Sequence, residues 1–285
     1  MSSSDALPMT AGSLADVLDV LAGHRLAVLT GAGVSTDSGI PDYRGPDSPP
    51  RTPMTIQQFT GDESFRRHYW ARNHVGWRHV HRTIPNAGHR ALAAMEHRGV
   101  VTGVITQNVD LLHEAAGSRH VIDLHGRYDR VRCLSCGTVI SRADLAARLD
   151  LLNPGFVDAV DDIEIAPDAD AVVERTSHFV VADCAVCGGM LKPDIVYFGE
   201  NVPRERVERA YAMVDAADAL LVAGSSLTVQ SGLRFVRHAA QASKPIVVVN
   251  RGATRGDKYA AVTLAAGTSE TLTELSEALP APVAR

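Results

Sequence analysis

The chain has 285 residues, 45% of them hydrophobic and 21% charged, with a net charge of -5. That length carries one large or two modest domains with a real core, and the composition is that of a globular protein. The acidic balance and the lack of a long Lys/Arg run argue against nucleic acid as a partner.

The first residues, MSSSDALPMTAG, have neither a basic nor an apolar region and do not read as a signal peptide. The apolar runs further on are strand-sized, too short to span a bilayer. The expectation is a cytoplasmic protein with no membrane partner.

In chain order, residues 13–23 form the first expected helix, with Ser13 as N-cap and Gly23 as its stop. RLAVLT follows as a buried strand running into Gly31-Ala32-Gly33. The pattern resumes at 100–106, 219–226, 245–250 and 261–266, all apolar strands, with helical patterns at 87–99 and 204–217 between them. Val/Ile/Leu strands alternating with amphipathic helices predict an α/β fold, a Rossmann-like doubly wound parallel sheet. Two segments interrupt it. Residues 48–82 begin Pro-rich and continue as an aromatic, basic, helical stretch. Residues 131–189 hold all four cysteines and an acidic middle. We expect a Rossmann-like domain over 1–47, 83–130 and 190–285, and a smaller domain built from the two insertions.

Cys133-x-x-Cys136 and Cys184-x-x-Cys187 are two knuckles, each followed by glycine. Four thiolates suit tetrahedral zinc, and a structural ion would staple an insertion too small to hold its own core. Buried free cysteines or a redox pair are the alternatives.

Several strand ends carry polar or small residues. Gly31, Ala32 and Gly33 could cradle a pyrophosphate on backbone N–H groups, although a lone Gly-x-Gly is weak support. Thr36 stands where the third glycine of a dinucleotide fingerprint belongs, and Pro41 and Asp42 follow where a helix would run. No acidic residue ends a second strand about 20 positions later, so a hydride-transferring dehydrogenase is disfavoured. Gly224, Ser225 and Ser226 end one strand, and Asn250, Arg251 and Gly252 another, where open α/β sheets bind ligands. Gln107, Asn108 and Asp110 cluster after a third, although Asn108 alone could be a helix cap. His125, before Gly126, could equally be structural.

Together GAGVSTDSGIPDYRG, TQNVDLLHEAAG, DLHG, the paired cysteines, LKPDIVYFGE, AGSSLTVQ and VVVNRG resemble the sirtuin family, in the family's order over residues 31–252. RHYWARNHVGW at 67–77 resembles its class II branch. The resemblance implies an NAD-dependent protein lysine deacylase that expels nicotinamide and passes the acyl group to ADP-ribose. It implies NAD and one structural Zn2+, with acylated-lysine proteins or peptides as partners. Cys133, Cys136, Cys184 and Cys187 would hold the metal. Asp110 would bind the nicotinamide carboxamide, helped by the backbone at Ile40 and Val109. His125 would be the general base on a ribose hydroxyl, and Asn108 would orient ribose or water. Ser35, Asp42, Tyr43, Arg44, Gln107 and Thr268 would complete the cofactor site. Tyr43 stands where many sirtuins have Phe, and Thr268 where many have Cys.

By the same resemblance, 195–200 would lie extended, with Val196 and Gly199 pairing with substrate backbone. Phe198 would wall the lysine tunnel unless it is core, and residues 54–80 would line that tunnel. Tyr69 and Arg72 have the spacing of a desuccinylase motif but match the class II pattern instead. A mono-ADP-ribosyltransferase and a non-catalytic NAD and zinc sensor remain as alternatives.

Overall fold

The computed structural model describes residues 12–42, 53–158 and 176–282. The elements run α1 (Leu14–Leu21), β1 (Leu26–Thr30), α2 (Ile56–Gly61), α3 (Glu63–Val80), α4 (Ala87–His97), β2 (Val101–Thr106) and α5 (Leu112–Ala115). Then come β3 (Val121–Asp123), β4 (Gly126–Cys133), β5 (Val139–Ser141), α6 (Arg142–Leu152), β6 (Leu191–Ile195) and α7 (Arg204–Ala216). β7 (Ala219–Ala223), α8 (Gln230–Gln241), β8 (Ile246–Val249), β9 (Val262–Leu264) and α9 (Thr268–Ala278) complete the chain. Ser13 caps α1 as expected, accepting from the Asp16 amide while Asp16 accepts from the Ser13 amide.

The main sheet has the order β3-β2-β1-β7-β8-β9, all parallel. Strand order therefore reverses between β1 and β7, the place where a doubly wound sheet opens a crevice at its carboxyl edge. All five residues of β1 are buried, as a strand covered on both faces must be. Val28, Val104, Leu221 and Val247 pack beneath Leu92, Met95 and Leu272 on one face. Leu29, Ile105, Leu220 and Val248 pack against Val214, Phe235 and Val236 on the other.

A second sheet, β5-β4-β6, is antiparallel. It spans residues 126–141 and 191–195, on both sides of the expected domain borders at 130 and 190. Its core joins Val131, Leu145, Leu149, Phe179 and Leu191 to the aromatic face of α3. Phe59, Tyr69 and Tyr197 meet at ring separations of 5.2–5.5 Å. Arg142 is fully buried, its guanidinium 5.5 Å from the Trp70 ring and 5.2 Å from the Trp77 ring, and it donates to Asn73.

After β1 the chain forms two short 3-10 turns, Ala32–Val34 and Thr36–Ser38, where a dehydrogenase would place an α-helix. Tyr43, Arg44 and the Pro-rich stretch fall outside the described residues, as does most of the acidic middle. Among the described residues, no helix is long and apolar enough to cross a membrane.

Candidate active site

A cleft of about 450 Å³ opens at the reversal point. It is lined from the ends of β1 (Gly31, Ala32, Gly33, Ser35, Asp42), β2 (Gln107, Asn108, Val109, Asp110), β7 (Gly224, Ser225, Ser226) and β8 (Asn250, Arg251, Gly252). His125 and the segment after β6, including Val196, Phe198 and Gly199, close the side towards the second sheet. The expected site residues that are described thus converge, with one exception. Thr268 begins α9 buried, and its hydroxyl donates to the Gly33 carbonyl at 3.0 Å instead of lining the cleft.

The glycine turn is tied to the neighbouring strand end. The Gly31 amide donates to Ala223 O and the Gly33 amide to Gly224 O, so neither is free. Of the three, only the Ala32 amide has no hydrogen bond among the described residues. The glycines instead let two strand ends touch: a Cβ on Gly33 would lie 2.9 Å from Gly224 Cα, and one on Gly224 would lie 2.4 Å from Val34 N. Gly224 also has φ +64, a conformation that side chains resist. Gly224→Ala is expected to cost about 1–3 kcal/mol of stability and to weaken NAD binding. Thermal melts with and without NAD test this; a melting curve unchanged in both conditions contradicts the contact.

Asp110 is buried at the tip of β2. It accepts from Ser35 Oγ at 2.7 Å and from the Leu112 amide at 3.0 Å. Burial raises its pKa, and these donors pull it back. Asn108 spends its NH2 group on Gly31 O (3.2 Å) and Ser35 Oγ (3.1 Å), which turns its carboxamide oxygen into the group left for a ligand hydroxyl or water. His89 Nδ1 accepts from the Asn86 amide, so its Nε2–H points at Ser35 Oγ, 3.4 Å away. Burial lowers the His89 pKa to about 4 and holds His113, beneath it, well below its ordinary value.

His125 is held at both ends. Its Nδ1 is 2.9 Å from the Gln107 carbonyl, which can only accept, so Nδ1 carries the proton. Nε2 is then the acceptor, 2.7 Å from the Ser231 hydroxyl. Burial lowers its pKa to about 4; the Gln107 hydrogen bond opposes the shift, and the Arg206 and Arg234 charges reinforce it. The ring is therefore neutral near pH 7, with a lone pair on the cleft side.

A family model described as the Sir2 family matches residues 31–231. The chain belongs to the Sir2 family. This sirtuin is 66% identical over 267 residues to NAD-dependent protein deacetylase 1 of Mycobacterium avium (strain 104), covering 93% of this chain and 95% of the relative. It is 54% identical to NAD-dependent protein deacetylase 1 of Streptomyces coelicolor, covering 96% and 92%. A solved Sir2 complex with a p53 peptide and NAD+ superposes with a TM-score of 0.75 at 29% identity, covering 93% of this chain and 98% of that one.

The sirtuin's four cysteines also converge. Their ligand atoms lie within 4.8 Å of one another, with Cys133–Cys187 at 3.6 Å and Cys136–Cys184 at 3.8 Å. A tetrahedron with Zn–S bonds of about 2.3 Å has edges of about 3.8 Å, so the donor set fits one structural zinc. Gly137 and Gly188, at φ +75 and +69, return their amides to Cys133 O and Cys184 O and close the knuckles. Thr138, with its hydroxyl 3.2 Å from Cys136 Sγ, pulls that thiol down to about 6, towards the thiolate that zinc requires.

Two expectations near the substrate side change. The extended run stops at Ile195, and Tyr197–Glu200 is a turn closed by the Glu200 amide on Tyr197 O. The Glu200 carboxylate accepts from the Tyr197 amide at 2.7 Å and so fixes that turn. Of residues 54–80, only Met54 lines the cleft; Tyr69 and Trp70 are consumed by the aromatic core, so the Tyr69/Arg72 pair does not face a substrate there. Phe198 is 39% exposed and lines the cleft, which excludes the core reading. Sequence reasoning missed Ser231 and Arg234, both cleft-lining on α8. Their position just after the Gly224–Ser226 tip was the available signal.

Proposed function

We propose that this chain is an NAD-dependent protein lysine deacetylase, with acylated-lysine peptides as substrate and nicotinamide and 2'-O-acyl-ADP-ribose as products. The observation that carries the reading is the neutral His125 base, its lone pair on a cleft at the β1/β7 reversal that the Asp110, Asn108 and Ser35 cluster also lines. The names of the relatives at 66% and 54% identity support it.

NAD would rest against the Ala32, Ser225 and Asn250 side of the cleft, where small residues leave room. When bound it supplies a ribose carbon that becomes electrophilic as nicotinamide leaves, and so can accept the acyl oxygen. Asp110 would bind the departing carboxamide, its carboxylate already aimed by Ser35. Asn108 would accept from a ribose hydroxyl or water. His125 would then take the proton of a ribose hydroxyl on Nε2, a role that a neutral imidazole fills at physiological pH.

Peptide backbone would pair with the segment after β6. The Val196 amide is already spent on His125 O and the Phe198 carbonyl on the Ile56 amide, so the Phe198 and Gly199 amides are the groups offered. Phe198 would shield the acyl-lysine from water. The boundary between the two domains would run at Gly126 and Ile195, the two residues that pair where β4 meets β6.

Incubation with NAD and a panel of acyl-lysine peptides, followed by mass analysis, tests the reading. It expects deacylated peptide, nicotinamide and acyl-ADP-ribose in equal amounts. ADP-ribose attached to protein with the acyl group retained would overturn it, as would no turnover at all.

A further inference from the structure

The general base has a partner on α8 for which the reaction as described finds no use. Ser231, in the first turn of that helix, is 7% exposed, and its hydroxyl lies 2.7 Å from His125 Nε2. With Nδ1–H donated to Gln107 O, Nε2 has one lone pair, and the Ser231 hydroxyl fills it. A substrate hydroxyl must use that same lone pair.

We propose that Ser231 is a positioning residue for His125: its hydroxyl reserves the Nε2 lone pair until a ribose hydroxyl takes it over, and then turns to accept from the protonated ring. This rests on the deacetylase reading above.

Gln107 O holds only one end of the ring, and a ring hinged at one end can swing away from the cleft. A donor at the other end leaves one neutral state that satisfies both contacts, the Nδ1–H tautomer with Nε2 on the cleft side. When the ribose O–H breaks, its proton bonds to Nε2 and its electron pair stays on oxygen for the new bond to the acyl carbon. The ring is now a cation with two N–H donors and needs two acceptors. Gln107 O remains one. A hydroxyl, unlike an ammonium or an amide NH2, can reverse its role and become the second. The need is sharp because the charged groups acting on the ring, Arg206 from α7 and Arg234 from α8, both oppose a positive imidazole. The His125 carbonyl is meanwhile fixed by the Val196 amide at 2.7 Å, so the backbone cannot move to compensate.

The test uses the full-length protein with NAD, an acetyl-lysine peptide and isotopically labelled nicotinamide. Exchange of label into NAD reports reversible nicotinamide loss, which precedes the base. In Ser231→Ala, kcat for acyl-ADP-ribose is expected to fall about tenfold, with KM for NAD changed by less than about twofold. The ratio of exchange to product formation should rise about tenfold. Ser231→Thr, which keeps the hydroxyl, should recover most of the loss. Imidazole 15N spectra, with His125 assigned by its absence in His125→Asn, should show the Nδ1–H tautomer in both proteins, held by Gln107 O, with the unprotonated Nε2 signal shifted in Ser231→Ala because that nitrogen loses its donor.

Product formation by Ser231→Ala within about twofold of wild type would overturn the proposal. So would parallel loss of exchange and product, which would place the hydroxyl in cofactor binding, or an Nε2 signal unchanged in Ser231→Ala. Should the wild type make no acyl-ADP-ribose, the deacetylase reading fails, and the 15N arm alone decides the role of Ser231.

Discussion

His125→Ala should lower the rate of acyl-ADP-ribose formation by 10²–10⁴-fold, the usual worth of a placed general base, while NAD still binds. The structure gives the reason for both halves. The imidazole sits between β3 and β4, and the part of the cleft proposed for the rest of the cofactor is lined from β1, β7 and β8, which the substitution does not touch. Calorimetric titration with NAD and a product assay check the two halves separately. Near-wild-type product formation would remove the base from His125; loss of NAD affinity in step with activity would make it a binding residue.

The wild-type pH profile extends the argument. A base must be unprotonated to act, so a group with its pKa lowered from 6.5 to about 4 stays competent as pH falls. The kcat/KM profile, which reports the free enzyme, should therefore be flat from pH 8 to about 5.5, where an unperturbed histidine would already have lost most of its base form. An acid limb centred at 6.5 would show that His125 is not desolvated. The fold itself sets the lower bound of the measurement. His89 and His113 are buried neutral, so the unfolded chain binds their protons first, and stability declines as pH drops from 6.5 towards 4.

The parallel sheet was legible because its strands are buried on both faces and so read as unbroken Val/Ile/Leu runs. VVTGVIT, ALLVAGSS and PIVVVN match β2, β7 and β8 to within three residues at each end. The cysteine module was legible because ligand chemistry fixes spacing. The second sheet was not. β4, GRYDRVRC, alternates buried and half-exposed residues and carries four charges, three of them arginines tied to neighbouring acids, so its apolar content is too low to register as a strand. Within the site, polar clusters at strand ends announced themselves, since Gln107, Asn108 and Asp110 have no core to fill. The rest depended on distance in space. Ser231 is 106 residues from His125, and His89 reaches Ser35 from a separate helix. Apart from the place of Ser231 just after the Gly224–Ser226 tip, no local pattern distinguishes such residues from ordinary helix surface. Two leucines next to the cleft, Leu111 and Leu227, hold φ of +64 and +54, and a β- or α-propensity reading has no means of anticipating that.

Cys133→Ala should abolish zinc binding and unfold the second sheet with α6, while leaving the parallel sheet folded. Structural zinc sites contribute about 10–16 kcal/mol of apparent binding free energy, and that free energy is available only to the folded module. Cys133 and Cys184 are themselves part of the core that the module shares with α3, alongside Val131, Leu145 and Phe179. Removing one thiolate leaves three ligands and a cavity where the sulfur packed. The loss reaches the active site through covalent continuity. β4 begins one residue after His125, and β6 runs directly into Val196, whose amide holds the His125 carbonyl. Activity should fall with the module even though no cysteine lines the cleft. Atomic emission should find one zinc per chain in the wild type and none in the variant. Hydrogen exchange should quicken across residues 126–152 and 191–195 but not across β1, β7 or β8. A wild-type protein without zinc, or a variant whose second sheet keeps its protection, would show that hydrophobic packing alone holds the small domain.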